Sequence, residues 1–280
     1  MTFDPRQLGE SRADLAYTLK TLRRRAGWTQ TRLAQRCNMS QTKISNIESG
    51  KLTPALMDVE LILHALDTPT SLVTEIMALA RMANTEWQDT WSSQRRGLDK
   101  RQNELAGFEK SATEFRYFLP TMITGLLATP EYVRASIADV PGDQSKTVAK
   151  KLERQAVLHD RSKQFTFVLT EQAVRWPLVP PEALATQMDR LASLTRLPNV
   201  RIGVIPIGPG VMPGPLNVFT VYDERIATVE ASTGLMVFRD RRDVSAYREE
   251  FATFERYALF GEHARERLSE WANAFTRQRE

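Results

Sequence analysis

Between Arg25 and Gly50 the chain sets helix-stopping and helix-starting residues so close together that only short helices joined by tight turns fit. Residues 12–26 carry Leu15, Leu19, Leu22 and Ala26 on one helical face, and Gly27 ends the run. Thr29 can cap a second helix whose apolar side is Leu33, Ala34 and Cys37. Asn38 follows, and it tolerates the left-handed backbone that a tight turn needs. Ser40 can cap a third helix, about Ser40–Glu48, with Ile44 and Ile47 facing inward and Gly50 as its stop. Pro54 suits the start of a fourth helix with Leu56, Val59, Leu61, Ile62 and Leu66 apolar, and Ser71–Asn84 makes a fifth.

Charge is unevenly spread over this chain of 280 residues. Residues 1–51 hold ten Lys or Arg against four Asp or Glu, a net of +6, which leaves −2 of the overall +4 for the rest. A basic head on a slightly acidic body suits a nucleic-acid contact at one end, although a basic stretch is also an ordinary solvated face. Cys37 is the single cysteine, so no internal disulfide forms, which suits a reducing cytoplasm. The first residues lack the apolar core of a signal peptide, and no apolar run approaches a membrane span.

Beyond the fifth helix the character changes. Residues 85–104 are polar and read as a linker or a connecting helix, with Trp87 and Trp91 arguing against plain disorder. Glu104–Phe118, Pro130–Ala138 and Lys146–His159 have helical patterns, and Phe118–Leu127 is an apolar stretch joining the first two. Strand-like runs follow at Phe165–Thr170, Val200–Pro206, Leu216–Tyr222, Ile226–Glu230 and Leu235–Arg239. A helix at Pro181–Leu197 separates the first two runs, which predicts a parallel pair. The later, closely spaced runs read as antiparallel, and Asp243–Leu259 and Glu262–Arg277 as two closing helices. The expectation is an α+β chain: an all-α five-helix domain at 1–84, a connection at 85–104, and a mixed α/β domain at 105–280 with a sheet of about five strands.

The segment Trp28-Thr-Gln-Thr-Arg-Leu-Ala-Gln-Arg-Cys-Asn-Met-Ser-Gln-Thr-Lys-Ile-Ser-Asn-Ile-Glu-Ser-Gly50 resembles the phage-repressor-like (Cro/C1, or XRE) helix-turn-helix family of DNA-binding regulators. The likeness spans roughly residues 12–66. It departs at the turn, where Asn38 stands in place of the family's Gly, and at Cys37, where an aliphatic residue is usual. Cys37 reads as core filling, with redox sensing as the alternative.

The resemblance implies that the third helix enters the major groove of double-stranded DNA. Its outward positions are Gln41, Thr42, Lys43, Ser45 and Asn46, with Ser40 at the cap. Gln and Asn can pair with adenine, Lys can reach guanine, and a Thr methyl can touch thymine. We take Gln41, Thr42 and Asn46 as base readers and Lys43 as a reader of a base or a phosphate. By family analogy Gln30 binds a backbone phosphate, and Ser49 and Lys51 lie where further backbone contacts fall. The family also implies a buried Arg23–Glu48 ion pair that is scaffold rather than readout, leaving Arg24 and Arg25 for phosphate or solvent. Members usually bind as dimers, so a homodimer is expected.

Several stretches of the second half also carry a likeness: Leu126-Leu-Ala-Thr-Pro-Glu-Tyr-Val-Arg134, Glu153-Arg-Gln-Ala-Val-Leu158, Phe167-Val-Leu-Thr-Glu171, Asn199-Val-Arg-Ile-Gly-Val-Ile-Pro206, Phe219-Thr-Val-Tyr-Asp223 and Glu230. Together they resemble a domain of uncharacterised function that follows such helix-turn-helix domains in many actinobacterial regulators, some of them described as antitoxin-like. Thr124 and Ala128 depart from that family's Pro and Gln. Two roles follow from this half. One is a pocket for a small effector near Arg154, Gln155, Glu171, Arg175 and Glu230, against the simpler reading that these make salt bridges and caps. The other is protein binding or dimerisation through Phe118–Leu127, against ordinary core.

Function is thus expected to be transcriptional regulation with a sensing domain. The alternative is an antitoxin-like protein that neutralises a small partner protein and autoregulates through DNA. No enzyme is expected, and no cofactor or metal: His64, His159 and His263 are scattered, and Gly208–Pro215 lacks the lysine ending of a phosphate loop. The expected location is the cytoplasm, associated with the nucleoid.

Overall fold

A computed structural model of the chain describes residues 7–89, 107–140, 142–208, 210, 212–231 and 234–277, with the backbone alone for 7–11 and 86–89. The contacts divide it into two units. One comprises residues 1–88 with Met236–Asp240, the other 89–235 with 241–280.

The first unit is helical. Its elements are α1 (Gln7–Arg25), α2 (Gln30–Arg36), α3 (Gln41–Glu48), α4 (Leu56–Ala65) and α5 (Thr70–Asn84). The punctuation read from the sequence sets their ends. Gly27 takes φ of +70° after α1, Asn38 takes +53° between α2 and α3, and Gly50 takes +72° after α3. The Thr29 and Ser40 hydroxyls accept the Arg32 and Lys43 amides, each at 3.1 Å, capping α2 and α3. With the turns fixed, Leu15, Leu19, Leu33, Ala34, Cys37, Ile44 and Ile47 converge on one core, which α4 and α5 close with Val59, Ile62, Ile76 and Ala80. α1 starts earlier than residue 12, and α4 starts at Leu56 rather than at Pro54. The Leu56 amide donates to the buried Asp240 carboxylate at 3.1 Å, a cap supplied from 184 residues away.

Thr85–Asp89, part of the stretch read as a linker or helix, is a strand (β1); residues 90–104 lie outside the described residues.

The second unit contains a mixed sheet. β2 (Glu114–Leu119) lies between β3 (Gln164–Thr170), parallel to it, and β5 (Val218–Tyr222), antiparallel to it. β4 (Val200–Ile205) extends the parallel side and β6 (Ile226–Ala231) the antiparallel side. Gly234–Phe238 (β7) is a further strand, of which Met236–Phe238 count with the first unit. The remaining elements are α6 (Pro130–Ala135), α7 (Ser145–Arg154), a 3₁₀ turn at Gln155–His159, α8 (Glu171–Arg175), α9 (Pro181–Leu194), α10 (Arg241–Glu255) and α11 (Gly261–Arg277). The parallel β3–α9–β4 step and the antiparallel β5–β6 pair match the sequence reading.

β2 corrects it. The helical pattern read over Glu104–Phe118 holds, among the described residues, only at 107–111, and a strand begins at Glu114. The strand is covered on both faces, so Phe115, Tyr117, Phe118 and Leu119 are all buried. A doubly covered strand reads as a continuous apolar run, without the alternation that marks a half-exposed one. Parallel register then stacks Phe115 on Phe165 at 4.5 Å and Tyr117 on Phe167 at 4.7 Å between ring centres. The apolar stretch 118–127 is mostly core: Phe118, Leu119, Ile123, Leu126 and Leu127 are buried.

Candidate nucleic-acid interface

Two short helices in fixed register place α3 with one face in the core and the other outward. Ile44 and Ile47 are fully buried, whereas Gln41 and Thr42 are exposed at its amino end, and Ser45 and Asn46 are half-buried along it. Beneath the exposed end lies a chain of side chains. Arg23 grips Glu48 with two hydrogen bonds, Nε to Oε1 at 2.6 Å and Nη2 to Oε2 at 2.7 Å, and also donates to the Trp28 carbonyl. Gln30 donates to Glu48 Oε2 at 2.9 Å, and its own Oε1 accepts from Gln41 Nε2 at 3.0 Å. A scaffold ion pair is thereby linked through Gln30 to the first residue of the outward edge.

Burial pushes the Glu48 carboxyl up, but hydrogen bonds from Arg23 and Gln30 and the Arg23 charge outweigh it, so it sits below the usual carboxylate value. The same hydrogen bond raises Arg23. Both groups stay charged, as a buried bidentate pair requires. The Cys37 thiol is pushed up by burial and donates to the Leu61 carbonyl at 3.6 Å, which is the behaviour of a core thiol.

Two contacts escaped the sequence reading. Lys43 Nζ pairs with Asp58 Oδ1 at 2.7 Å, while Oδ2 of the same carboxylate accepts the Ala55 amide. Arg32 stacks its guanidinium on Trp28, 4.4 Å from the ring centre. Ser40 and Ser49 serve as caps: Ser40 holds the Lys43 amide and Ser49 Oγ donates to the Asn46 carbonyl. Lys51, Arg24 and Arg25 are exposed on the same basic unit.

In the second unit the polar residues singled out from the sequence do not converge. Arg154, with Glu109, lines a cavity of about 710 Å³ at the amino ends of β2 and β3. Glu171 and Arg175 lie at the opposite end of β3, paired with each other, and Glu171 also accepts the Ile207 amide at 2.9 Å.

Models of two families match the chain. One, described as a helix-turn-helix domain, covers residues 14–76, which contain the cap, turn and edge just described. The other, described as a domain of unknown function, DUF5753, covers residues 102–270, more than half of the chain. The chain belongs to the DUF5753 family. It carries a helix-turn-helix DNA-binding domain ahead of the DUF5753 domain. No curated protein matches.

Among solved structures, NucT from Helicobacter pylori is similar at 11% identity over 62% of this chain and 97% of its own, with a TM-score of 0.38. Nuc from Salmonella typhimurium, a phospholipase D family member, is similar at 8% identity over 57% and 90%, with a TM-score of 0.37. TrmBL2, an archaeal chromatin protein, is similar at 9% over 64% and 53%, with a TM-score of 0.34.

Within the DUF5753 domain Gln155 is a structural tie. Its amide donates to the Gly125 and Ala128 carbonyls, each at 2.8 Å, and accepts from Arg190 at 2.6 Å. Glu230 is exposed at the end of β6. Asp223, which in the sequence is only one residue of a matching run, ties two distant segments of this domain together. At φ of +51° its Oδ1 accepts from the Thr113 and Glu114 amides and the Thr113 hydroxyl, anchoring the start of β2.

Proposed function

We propose that the chain is a sequence-specific transcriptional regulator. It acts as a homodimer on double-stranded DNA and uses its DUF5753 domain to sense a small effector or a protein partner. The observation that carries the DNA-reading half is the chain Arg23–Glu48–Gln30–Gln41. One hydrogen of the Gln41 amide is held by Gln30, which leaves the second hydrogen and the carbonyl oxygen to face outward. That donor and acceptor match the N7 and N6 edge of adenine. Because the side chain is already fixed, less rotamer freedom is lost on binding.

Thr42 and Asn46 extend the reading edge. Gln30 keeps one amide hydrogen for a phosphate oxygen, and Lys51 and Ser49 contact the backbone without reading bases. A single unit of this size covers few base pairs, and pairing two on half-sites a helical turn apart supplies the missing affinity.

The reading assigns no catalytic step. Cys37 is enclosed in the core, and His64, His159 and His263 are exposed on separate elements. No helix among the described residues is long and apolar enough to cross a membrane. The reading places the protein in the cytoplasm, at the nucleoid.

Genome-wide recovery of DNA bound to the full chain tests the proposal, followed by anisotropy on the recovered sequence and a scrambled duplex. A shared motif bound at least about a thousandfold more tightly supports it. Equal affinity for both duplexes defeats it. Co-purification separates the two forms of sensing: a bound metabolite favours an effector, and a stoichiometric small protein favours the antitoxin-like form.

A further inference from the structure

The cavity in the second unit is lined by a buried lysine that makes no direct ion pair among the described residues. Its wall runs from residue 109 through Thr113, along α7, and through the turn before β3. Its volume of about 710 Å³ lies within the range of small-molecule sites, roughly 300–1,000 Å³. Lys163 lines it and is only 8% exposed. Its ammonium donates to the Ala112 carbonyl at 2.6 Å and to the Lys110 carbonyl at 3.3 Å, and the Phe115 ring centre lies 5.6 Å away.

These are dipoles and a ring face. Lys163 makes no ion pair among the described residues, and one of its three N–H bonds is left over. Buried charges are ordinarily paired, because desolvation is otherwise uncompensated.

The other charges in the wall are accounted for differently. Arg154 and the buried Glu109 neutralise each other through two hydrogen bonds. Asp160 sits on the surface, turned into hydrogen bonds with the Ser162 amide and hydroxyl, and acts on Lys163 only through space. Glu153 is exposed, and Lys110 and Lys150 add positive charge. Ala112 and Val157 give the wall an apolar part. The Tyr117 hydroxyl is buried beside Tyr222 and within electrostatic reach of Arg154 and Glu109.

We infer that this cavity is the binding site for a small organic anion, a molecule presenting a carboxylate or phosphate group to Lys163 with its body against Val157 and Ala112. The inference rests on the reading that this domain senses an effector. The site lies at the amino ends of the parallel strands. At their carboxyl ends Glu171 and Arg175 already satisfy each other.

Calorimetric titration of the full chain with inorganic phosphate and with citrate, at ionic strength held constant by chloride, tests the site and distinguishes the two headgroups. Saturable binding of either probe is expected, weakened at least about tenfold in Lys163→Gln. The surface variant Lys110→Ala/Lys150→Ala, which removes no buried group, should weaken it in the same direction. Absence of saturable binding of both probes overturns the site, as does unchanged affinity in the double variant. DNA affinity measured with and without the bound anion separates the two claims. Binding without any change in DNA affinity overturns sensing by this anion and keeps the site, whereas loss of binding overturns the site itself.

Discussion

Arg23–Glu48 in the helical unit and Arg154–Glu109 in the α/β unit are both ion pairs taken mostly out of water, with Glu48 6% and Glu109 3% exposed. They are embedded differently. Glu48 also accepts from Gln30, which accepts from Gln41, so its pair is wired to the surface and fixes an outward side chain. Arg154 and Glu109 lie in the wall of an open volume, together with a buried ammonium that makes no ion pair among the described residues. The same chemical device therefore serves a rigid edge in one unit and a receptive space in the other. What differs is what lies next to each pair: Gln30 carries the first to the outward edge, and a cavity adjoins the second.

The most damaging test of this contrast removes Glu48. Glu48→Ala leaves Arg23 buried and unpaired, at a cost of about 3–5 kcal/mol to the helical unit, enough to unfold a marginal domain. Denaturant unfolding followed by circular dichroism reads the loss, and DNA binding should vanish with it. Acid should act in the same sense. The Glu48 carboxyl is held below its ordinary value, so its stabilisation is present above the unfolded-state pKa. That contribution drains away as pH falls through the lowered folded-state value. Glu48→Gln removes this acid-dependent part. If wild type and Glu48→Gln lost stability in parallel below pH 4, the pair would not be a support.

Gln41→Ala comes next. It spares the core and removes a single base reader, so discrimination between the preferred sequence and a single-base variant should fall by about 1–3 kcal/mol with little change in unfolding. Equal discrimination would detach Gln41 from the reading edge and leave the Gln30 chain as stability alone.

The legibility of the two units differs for physical reasons. In the helical unit each device acts within a few residues: Thr29 on Arg32, Ser40 on Lys43, Asn38 on its own backbone. Local spacing therefore encodes them, and the buried Arg23–Glu48 pair followed from family likeness. In the second unit the deciding contacts are remote. Asp223 holds Thr113 and Glu114 across 110 and 109 residues, and Gln155 holds Ala128 through topology. No spacing rule reports such pairs. β2 was misread for a related reason: its helix-like mixture of Glu114, Arg116 and aromatics is decided by neighbours on both sides. The Lys43–Asp58 pair was missed because it spans two helices whose relative placement no short-range pattern supplies.

That pair offers a smaller, signed test. Asp58 holds Lys43 toward α4, which cancels its charge near the edge. Asp58→Asn releases it, so affinity for all duplexes should rise and the slope of log K against log salt should steepen by about 0.9, one added phosphate contact. An unchanged slope would mean that Lys43 already reaches DNA in the wild type.

The smallest effect isolates backbone from side chain at Asn38. Its φ of +53° carries a steric cost for any residue with a Cβ, one that Asn offsets partly by local hydrogen bonding and Gly avoids. Asn38→Ala keeps the cost and loses the offset, so it should destabilise the helical unit by about 1 kcal/mol. Asn38→Gly should be neutral within about 0.5 kcal/mol, because relief of strain is balanced by a more flexible unfolded chain. Both substitutions leave Gln41, Gln30 and Glu48 untouched, so DNA discrimination at a temperature where each variant is folded should match the wild type. A change in discrimination without a change in stability would show that the turn sets the angle of α3, and that the reading edge depends on backbone geometry as much as on the side-chain network beneath it.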